Sequence, residues 1–342
     1  MPGPVMPEIA TPEIATPESP VLVTGGNGYV GGRLVATLLD RGHRVRATVR
    51  DAARADAVGH LVRAAGVDPG DRLETVVTSL DDDAGWAEAL AGVSVVHHVA
   101  SPFLSVPPER ADEVIAPAVE GTLRVLRHAR DAGVTHVVLT SSFAAVGYGP
   151  PTGRPYDERD WTDPGHPNDP YIRSKVLAER AAWDFVAEQV RGPQTPLGLT
   201  VLNPTGIFGP VLGGRLSTSV GAVGAMLTGG LPALPRMRFG VVDVRDVAEA
   251  HVRAMSTPAA VGERILLTSG DVVTWGWVIE LLRRELGVEI ATVEQDAVGG
   301  LPPLEISNAK ARRLLGMSFV PAGTTLLDTA RSLAPTASDG VR

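Results

Sequence analysis

Tyr171 and Lys175 stand four residues apart in the stretch DPYIRSKVLAER, residues 169 to 180. On a helix that spacing puts both side chains on one face. A phenol, with a pKa of about 10, transfers protons poorly at neutrality, and an ammonium beside it favours the phenolate. Such a pair suits proton transfer at a substrate oxygen. The lysine is also rare here: of 31 basic residues only Lys175 and Lys310 are lysine. A compact ammonium can bond ribose hydroxyls where a planar guanidinium would crowd them. Alone, Tyr-x-x-x-Lys is a frequent coincidence and reads as a surface pair. It needs a second motif.

That motif lies upstream. TGGNGYVGG places Gly25, Gly28 and Gly31 three apart, between an apolar run and a helical stretch. A tight turn, close approach of a pyrophosphate to backbone and a helix N-terminus with oriented N–H groups all require this arrangement. Its place after the first strand of an alternating chain makes it a dinucleotide signature. The second strand ends in TVRD, where the adenosine ribose lies in nucleotide folds. Arg50 and Arg54 favour the 2′-phosphate of NADP, whereas Asp51 could turn inward and read a free hydroxyl. Two arginines against one acid favour NADPH over NADH. Ser141 and Ser142, in VLTSSFAAVG, end the fifth strand. Ser142 could bond a substrate carbonyl oxygen, while Ser141 reads as satisfying backbone where the strand stops.

The elements that must position these groups follow from changes of apolar period. PVLVTG, HRVRATVR, LETVVTSL, SVVHHVAS, VTHVVLTSS and LGLTVLNP read as strands, apolar almost throughout. Helical patterns separate them, including a long one within residues 108–133 and another from Tyr171 to about Val190. Buried strands alternating with helices predict an α/β fold: a doubly wound parallel sheet of the Rossmann kind. Its ligand crevice lies at the carboxyl ends of the strands. Residues 147–170, rich in Pro, Gly and Asp, read as a loop. The expected division is a flexible tail over 1–19, a dinucleotide-binding domain over 20–205 and mainly a smaller, partly interlaced substrate lobe over 206–335. RILLTS, WGWVIELLRREL and ISNAKARRLLG are expected in that lobe.

Composition narrows the function. A net charge of −8, with no basic block, argues against nucleic acid as partner. With zero cysteines the chain has no disulfides, thiolate metal sites or cysteine nucleophile. No apolar run reaches the ~18 residues that span a bilayer. The opening MPGPVMPEIATPEIATPESP lacks the basic and apolar regions of a secretory signal, and its PEIATPEIAT repeat offers little to pack. A cytoplasmic monomer or homodimer is the expectation. His97 and His98 read as core or pocket-wall groups, Asp243 and Asp246 as the cap and first-turn charge of a helix, and Lys310 as a solvated helix residue.

Taken together, TGGNGYVGG, the serine pair, YIRSK and NPTGIFGP resemble the extended short-chain dehydrogenase/reductase superfamily, from residue 20 to about 330. RATVRD, HHVASPF, TSSFAAV and LAERAAWDF look most like its dihydroflavonol 4-reductase group and microbial aldehyde and ketone reductases. The resemblance implies a catalytic trio of Ser142, Tyr171 and Lys175. It also implies that Gly25, Asn27, Gly28, Tyr29, Val30 and Arg50 touch the cofactor, with Leu80, Ala100, Ser101, Lys175, Pro204, Thr205 and Ser219. Ser79 stands where such proteins usually carry Asp, and APAVEGTLRVL has no counterpart of the asparagine that joins the trio in shorter members. The expected activity is NADPH-dependent reduction of a small ketone or aldehyde. The alternatives are a sugar-nucleotide epimerase or dehydratase that retains its nicotinamide, and a non-catalytic NADP-sensing protein.

Overall fold

The computed structural model describes residues 19–101, 110–165, 169–191, 196–213, 216–295 and 301–333. The expected tail, Ser19 apart, lies outside them. Each apolar run yields a strand trimmed at its ends: β1 (Val21–Val23), β2 (Val45–Val49), β3 (Leu73–Val77), β4 (Val95–His98), β5 (His136–Thr140) and β6 (Gly198–Pro204). Between them lie α1 (Tyr29–Asp40), α2 (Ala55–Ala64), α3 (Trp86–Leu90), α4 (Asp112–Asp131) and α5 (Pro170–Val190). The chain continues through β7 (Gly206–Phe208), α6 (Thr218–Leu227), β8 (Ala233–Leu234), β9 (Arg238–Asp243), α7 (Val244–Ser256) and β10 (Arg264–Leu267). It closes with β11 (Val272–Thr274), α8 (Trp275–Leu286), β12 (Val293–Glu294), α9 (Ala309–Leu315) and α10 (Ala322–Leu333).

The main sheet runs β3-β2-β1-β4-β5-β6-β10, and every pair is parallel. Its order reverses between β1 and β4, which opens a crevice at their carboxyl ends. Helices cover both faces, which is why β1, β4 and β6 are buried at every residue. Trp86, Leu126 and Trp183 bring α3, α4 and α5 onto one face. On the other, Leu34, Val58 and Ala248 bring in α1, α2 and α7.

Two segments expected in the C-terminal lobe belong to this sheet instead. RILL is β10, paired with β6 along its length. Ala311 and Leu315 of α9 pack with Ile265 and Leu202 beneath it. A short apolar run announces a buried strand but not the sheet it joins. The remaining C-terminal elements form a separate core in which Phe208, Met226, Val241, Trp275, Leu282 and Leu326 pack together. Phe239 and Trp275 lie 4.6 Å apart between ring centroids, with Phe208 about equally close to both at 6.0 and 6.2 Å. A three-stranded sheet, β11-β9-β7, and the pair β12-β8 complete this region.

Candidate active site

Asp169 and Pro170 decide where α5 begins. The Asp169 carboxylate accepts the Tyr171 backbone N–H at 2.7 Å, and Pro170, with its fixed φ and no N–H, fills the first helical position. Tyr171 therefore sits in the first turn and is 51% exposed. Lys175 follows one turn on, its Nζ 5.7 Å from the Tyr171 ring centroid. That ammonium also donates to Ser101 Oγ at 3.1 Å, so the side chain is held from β4's end as well as from its own helix.

Ser142 lies two residues beyond β5. Its Oγ accepts the Ala144 N–H at 3.1 Å, capping a single 3₁₀ turn. With a lone pair so engaged, the hydroxyl hydrogen points elsewhere, and Ser142 lines the cleft. Ser141 does not satisfy backbone as expected. Its hydroxyl donates to the carboxylate of Glu179 at 2.5 Å.

The glycine turn is shaped by two steric facts. Gly25 has φ +69°, the left-handed region that L side chains rarely adopt, and a Cβ on Gly31 would meet Gly25 O at 2.2 Å. Thr24 anchors the turn from below. Its hydroxyl receives the N–H groups of Val99 and Ala100 at 3.0 and 2.9 Å, so its own hydrogen goes to His98 Nδ1 at 3.0 Å. Burial, aided by the Lys175 charge, pushes His98 down to about 3, so the imidazole is neutral and an acceptor at Nδ1. Its neighbour His97 meets His251 at 3.1 Å between Nδ1 atoms, and His251 Nε2 meets Thr140 Oγ1 at 2.8 Å. Both are held neutral by burial. Both β4 histidines thus join strands and helix by hydrogen bonds.

Every residue of the expected set lines one cleft of about 2120 Å³: the catalytic trio, Gly25, Asn27, Gly28, Tyr29 and Val30 of the glycine turn, Arg50, Leu80, Ala100, Ser101, Pro204, Thr205 and Ser219. That exceeds the ~300–1,000 Å³ of a usual single-ligand pocket and leaves room for a dinucleotide and a second molecule together. Tyr29 has a further task, because its hydroxyl donates to Gly209 O at 2.9 Å and ties the turn to the C-terminal region. At the end of β2 the expected count of two arginines against one acid is altered. Arg54 Nε pairs with Asp51 at 2.8 Å, which neutralises both. Arg50, also on the cleft, has no ion-pair partner among the described residues. The sequence reading missed the opposite wall, where Tyr148, Tyr156, Arg236, Arg238, Phe239 and Trp275 line the cleft. No spacing rule joins these residues, and only the regions that supply them, the 147–170 loop and the expected substrate lobe over 206–335, were legible.

The helix-start expectation holds: Asp243 caps α7, accepting the Arg245 N–H at 2.8 Å, and Asp246 is the acid of its first turn, also accepting the Val320 N–H at 2.8 Å. Burial raises Asp246 to about 6. The expectation for Lys310 changes: it pairs with Glu263 at 2.7 Å.

A glycine turn at the switch point of a parallel sheet, faced by a serine, a tyrosine and a lysine, defines a dinucleotide-fold protein of the short-chain dehydrogenase/reductase type. The chain belongs to the NAD dependent epimerase/dehydratase family, whose model matches residues 21–267. It is 35% identical over 325 residues to a cinnamoyl-CoA reductase of Medicago truncatula, covering 92% of this chain and 95% of the relative. It is 33% identical over 309 residues to a dihydroflavonol 4-reductase of Zea mays, covering 87% and 83%. Among solved structures, yeast methylglyoxal/isovaleraldehyde reductase Gre2 complexed with NADPH superposes with a TM-score of 0.76 at 25% identity, covering 92% of this chain and 98% of that one.

Proposed function

We propose that this chain is an NADPH-dependent reductase that converts the carbonyl of a small ketone or aldehyde to an alcohol. The observation that carries the reading is the convergence of Ser142, Tyr171 and Lys175 on the same cleft as the glycine turn and the uncompensated Arg50. The site suits the dinucleotide: a Cβ on Gly31 would fill the space the turn needs, and α1 begins there with N–H groups lacking intrahelical acceptors. Gly25, Asn27, Gly28, Tyr29 and Val30 would hold the pyrophosphate, Arg50 the 2′-phosphate, and Leu80, Ala100, Ser101, Pro204, Thr205 and Ser219 the rest. When bound, NADPH supplies hydride to the carbonyl carbon. Tyr171 gives its phenolic proton to the carbonyl oxygen, and Ser142 donates a hydrogen bond to that oxygen as charge grows on it. Lys175, held by Ser101, stabilises the charge left on the phenol and bonds the ribose.

The test is NADPH oxidation by the purified protein over a panel of aromatic and aliphatic ketones, aldehydes and UDP-sugars. Release of free NADP⁺ after each reduction is expected. Isomerisation or dehydration of a UDP-sugar with the nicotinamide retained would overturn this reading in favour of the epimerase chemistry the family also contains.

A further inference from the structure

The stripe of α5 that carries Tyr171 and Lys175 continues one turn further to Glu179. Along it the side chains pass from half-exposed through partly buried to enclosed. The Glu179 carboxylate is 0% exposed. Its Oε2 accepts from Ser141 Oγ at 2.5 Å and from Asn203 Nδ2 at 2.7 Å, and its Oε1 accepts from Arg264 Nε at 2.5 Å. The three donors come from three neighbouring strands: Ser141 from the end of β5, Asn203 from β6 and Arg264 from β10. Asn203 Nδ2 also donates to the Ser142 carbonyl at 3.2 Å. Arg264 is equally enclosed. Its Nη1 donates to the carbonyls of Glu158 and Asp160 at 2.8 Å each, and its guanidinium lies 3.6 Å over the Trp161 ring. Those residues belong to the loop that supplies Tyr148 and Tyr156 to the cleft wall.

Burying a carboxylate and a guanidinium is costly, and such a pair stabilises a fold less than apolar groups of the same shape often would. What it adds is direction. A carboxylate can hold several donors at set angles, whereas apolar packing is non-directional. We propose that Glu179 is a positioning residue that fixes α5 against the ends of β5 and β6, so that Tyr171 and Lys175 face Ser142, with Arg264 extending the same constraint to the 147–170 wall. This rests on the reading of Ser142, Tyr171 and Lys175 as the catalytic trio.

Three variants test it, each measured for kcat, KM and thermal midpoint, with a crystal structure for the Ser142-to-Tyr171 separation. Glu179→Gln leaves Arg264 buried without its counter-charge, so the midpoint should fall sharply. Its kcat should fall at least ~10-fold, with both KM values within about threefold, because α5 shifts by about 1 Å. Adding Arg264→Met removes the stranded cation. The midpoint should then recover while kcat stays low. Ser141→Ala leaves the charges paired and should fold normally, yet lose about threefold or more in kcat as one tether is cut. Should Glu179→Gln fail to fold, the other two variants decide. Recovery of kcat together with the midpoint in the double variant would show a purely structural network and overturn the proposal. So would full activity in Ser141→Ala. A wild-type protein that reduces no carbonyl would instead sink the reductase reading, and the Ser142-to-Tyr171 separation would still decide for or against the tether.

Discussion

The nucleotide side of the cleft is made largely of backbone, and the opposite side of side chains. Gly25 takes a left-handed φ, Gly31 leaves no space for a Cβ, Thr24 locks two strand ends together, and the start of α1 presents N–H groups. Across from them, Tyr148, Phe239, Trp275, Arg236 and Arg238 line the wall with groups that any substitution could change. A backbone-built surface can vary little without losing its shape. A wall of side chains can be recut residue by residue while the fold persists. The difference separates holding a dinucleotide, which the scaffold's backbone serves, from choosing between cofactors or between substrates, which would fall to side chains such as Arg50 and those of the opposite wall.

Breaking the chemistry that joins the two sides should have the largest effect. Tyr171→Phe removes the proton donor, and Lys175→Arg replaces a compact ammonium with a fork of the wrong shape. Each should fold normally and lose at least ~100-fold in single-turnover NADPH oxidation, with strongly non-additive losses in the double mutant. A near-normal rate for Lys175→Arg would return that lysine to the status of a surface charge.

On the nucleotide side, Arg50→Asp should raise the KM for NADPH by roughly tenfold or more, the worth of a charge-assisted hydrogen bond, and leave NADH use little changed. Equal use of both cofactors by the unmodified protein would rule out Arg50 as the 2′-phosphate reader.

Acid should next weaken the shared core. His98 and His251 are pushed down to about 3 and His136 to about 4, chiefly by burial, and His97 lies well below its ordinary value for the same reason. Between those values and about 6.5 the unfolded chain binds more protons than the folded one, so stability rises with pH. It is complete above about 6.5 and is lost as pH falls. Each imidazole costs up to about 2 kcal/mol at pH 5. Asp246, raised to about 6, acts in the opposite sense but is a single group. The thermal midpoint should therefore drop between pH 7 and pH 5, and a flat profile would contradict the neutral-histidine arrangement.

The mildest change belongs to the substrate wall. Tyr148→Ala should raise the KM of an aromatic ketone several-fold and leave the KM for NADPH within about twofold, since it removes contact area on one side only. A matched rise in both would mean the two sides are not separable.

What the sequence disclosed divides along the same line. The glycine turn and the Tyr171–Lys175 spacing were legible because local backbone geometry dictates them. Arg54 and Asp51 are both legible in the sequence, but their pairing with each other is not, so Arg54 counts toward the phosphate on paper and not in the structure. RILL is expected in the C-terminal lobe and instead pairs with β6 in the main sheet, since an apolar run carries no partner. Glu179 and Arg264 were invisible. They are 85 residues apart, and either alone reads as an ordinary surface charge.

The position of β10 at the edge of the main sheet has a consequence for the chain's birth. Five of the six other strands, both serines, Tyr171 and Lys175 are all synthesised before residue 200, yet Arg264 is added more than sixty residues after β6 begins. Until then Glu179 has Ser141 and Asn203 as donors but no counter-charge, beside an unfinished sheet edge. The glycine turn lies within the first tenth of the chain, whereas the Glu179–Arg264 pair can close only when synthesis is more than three-quarters complete.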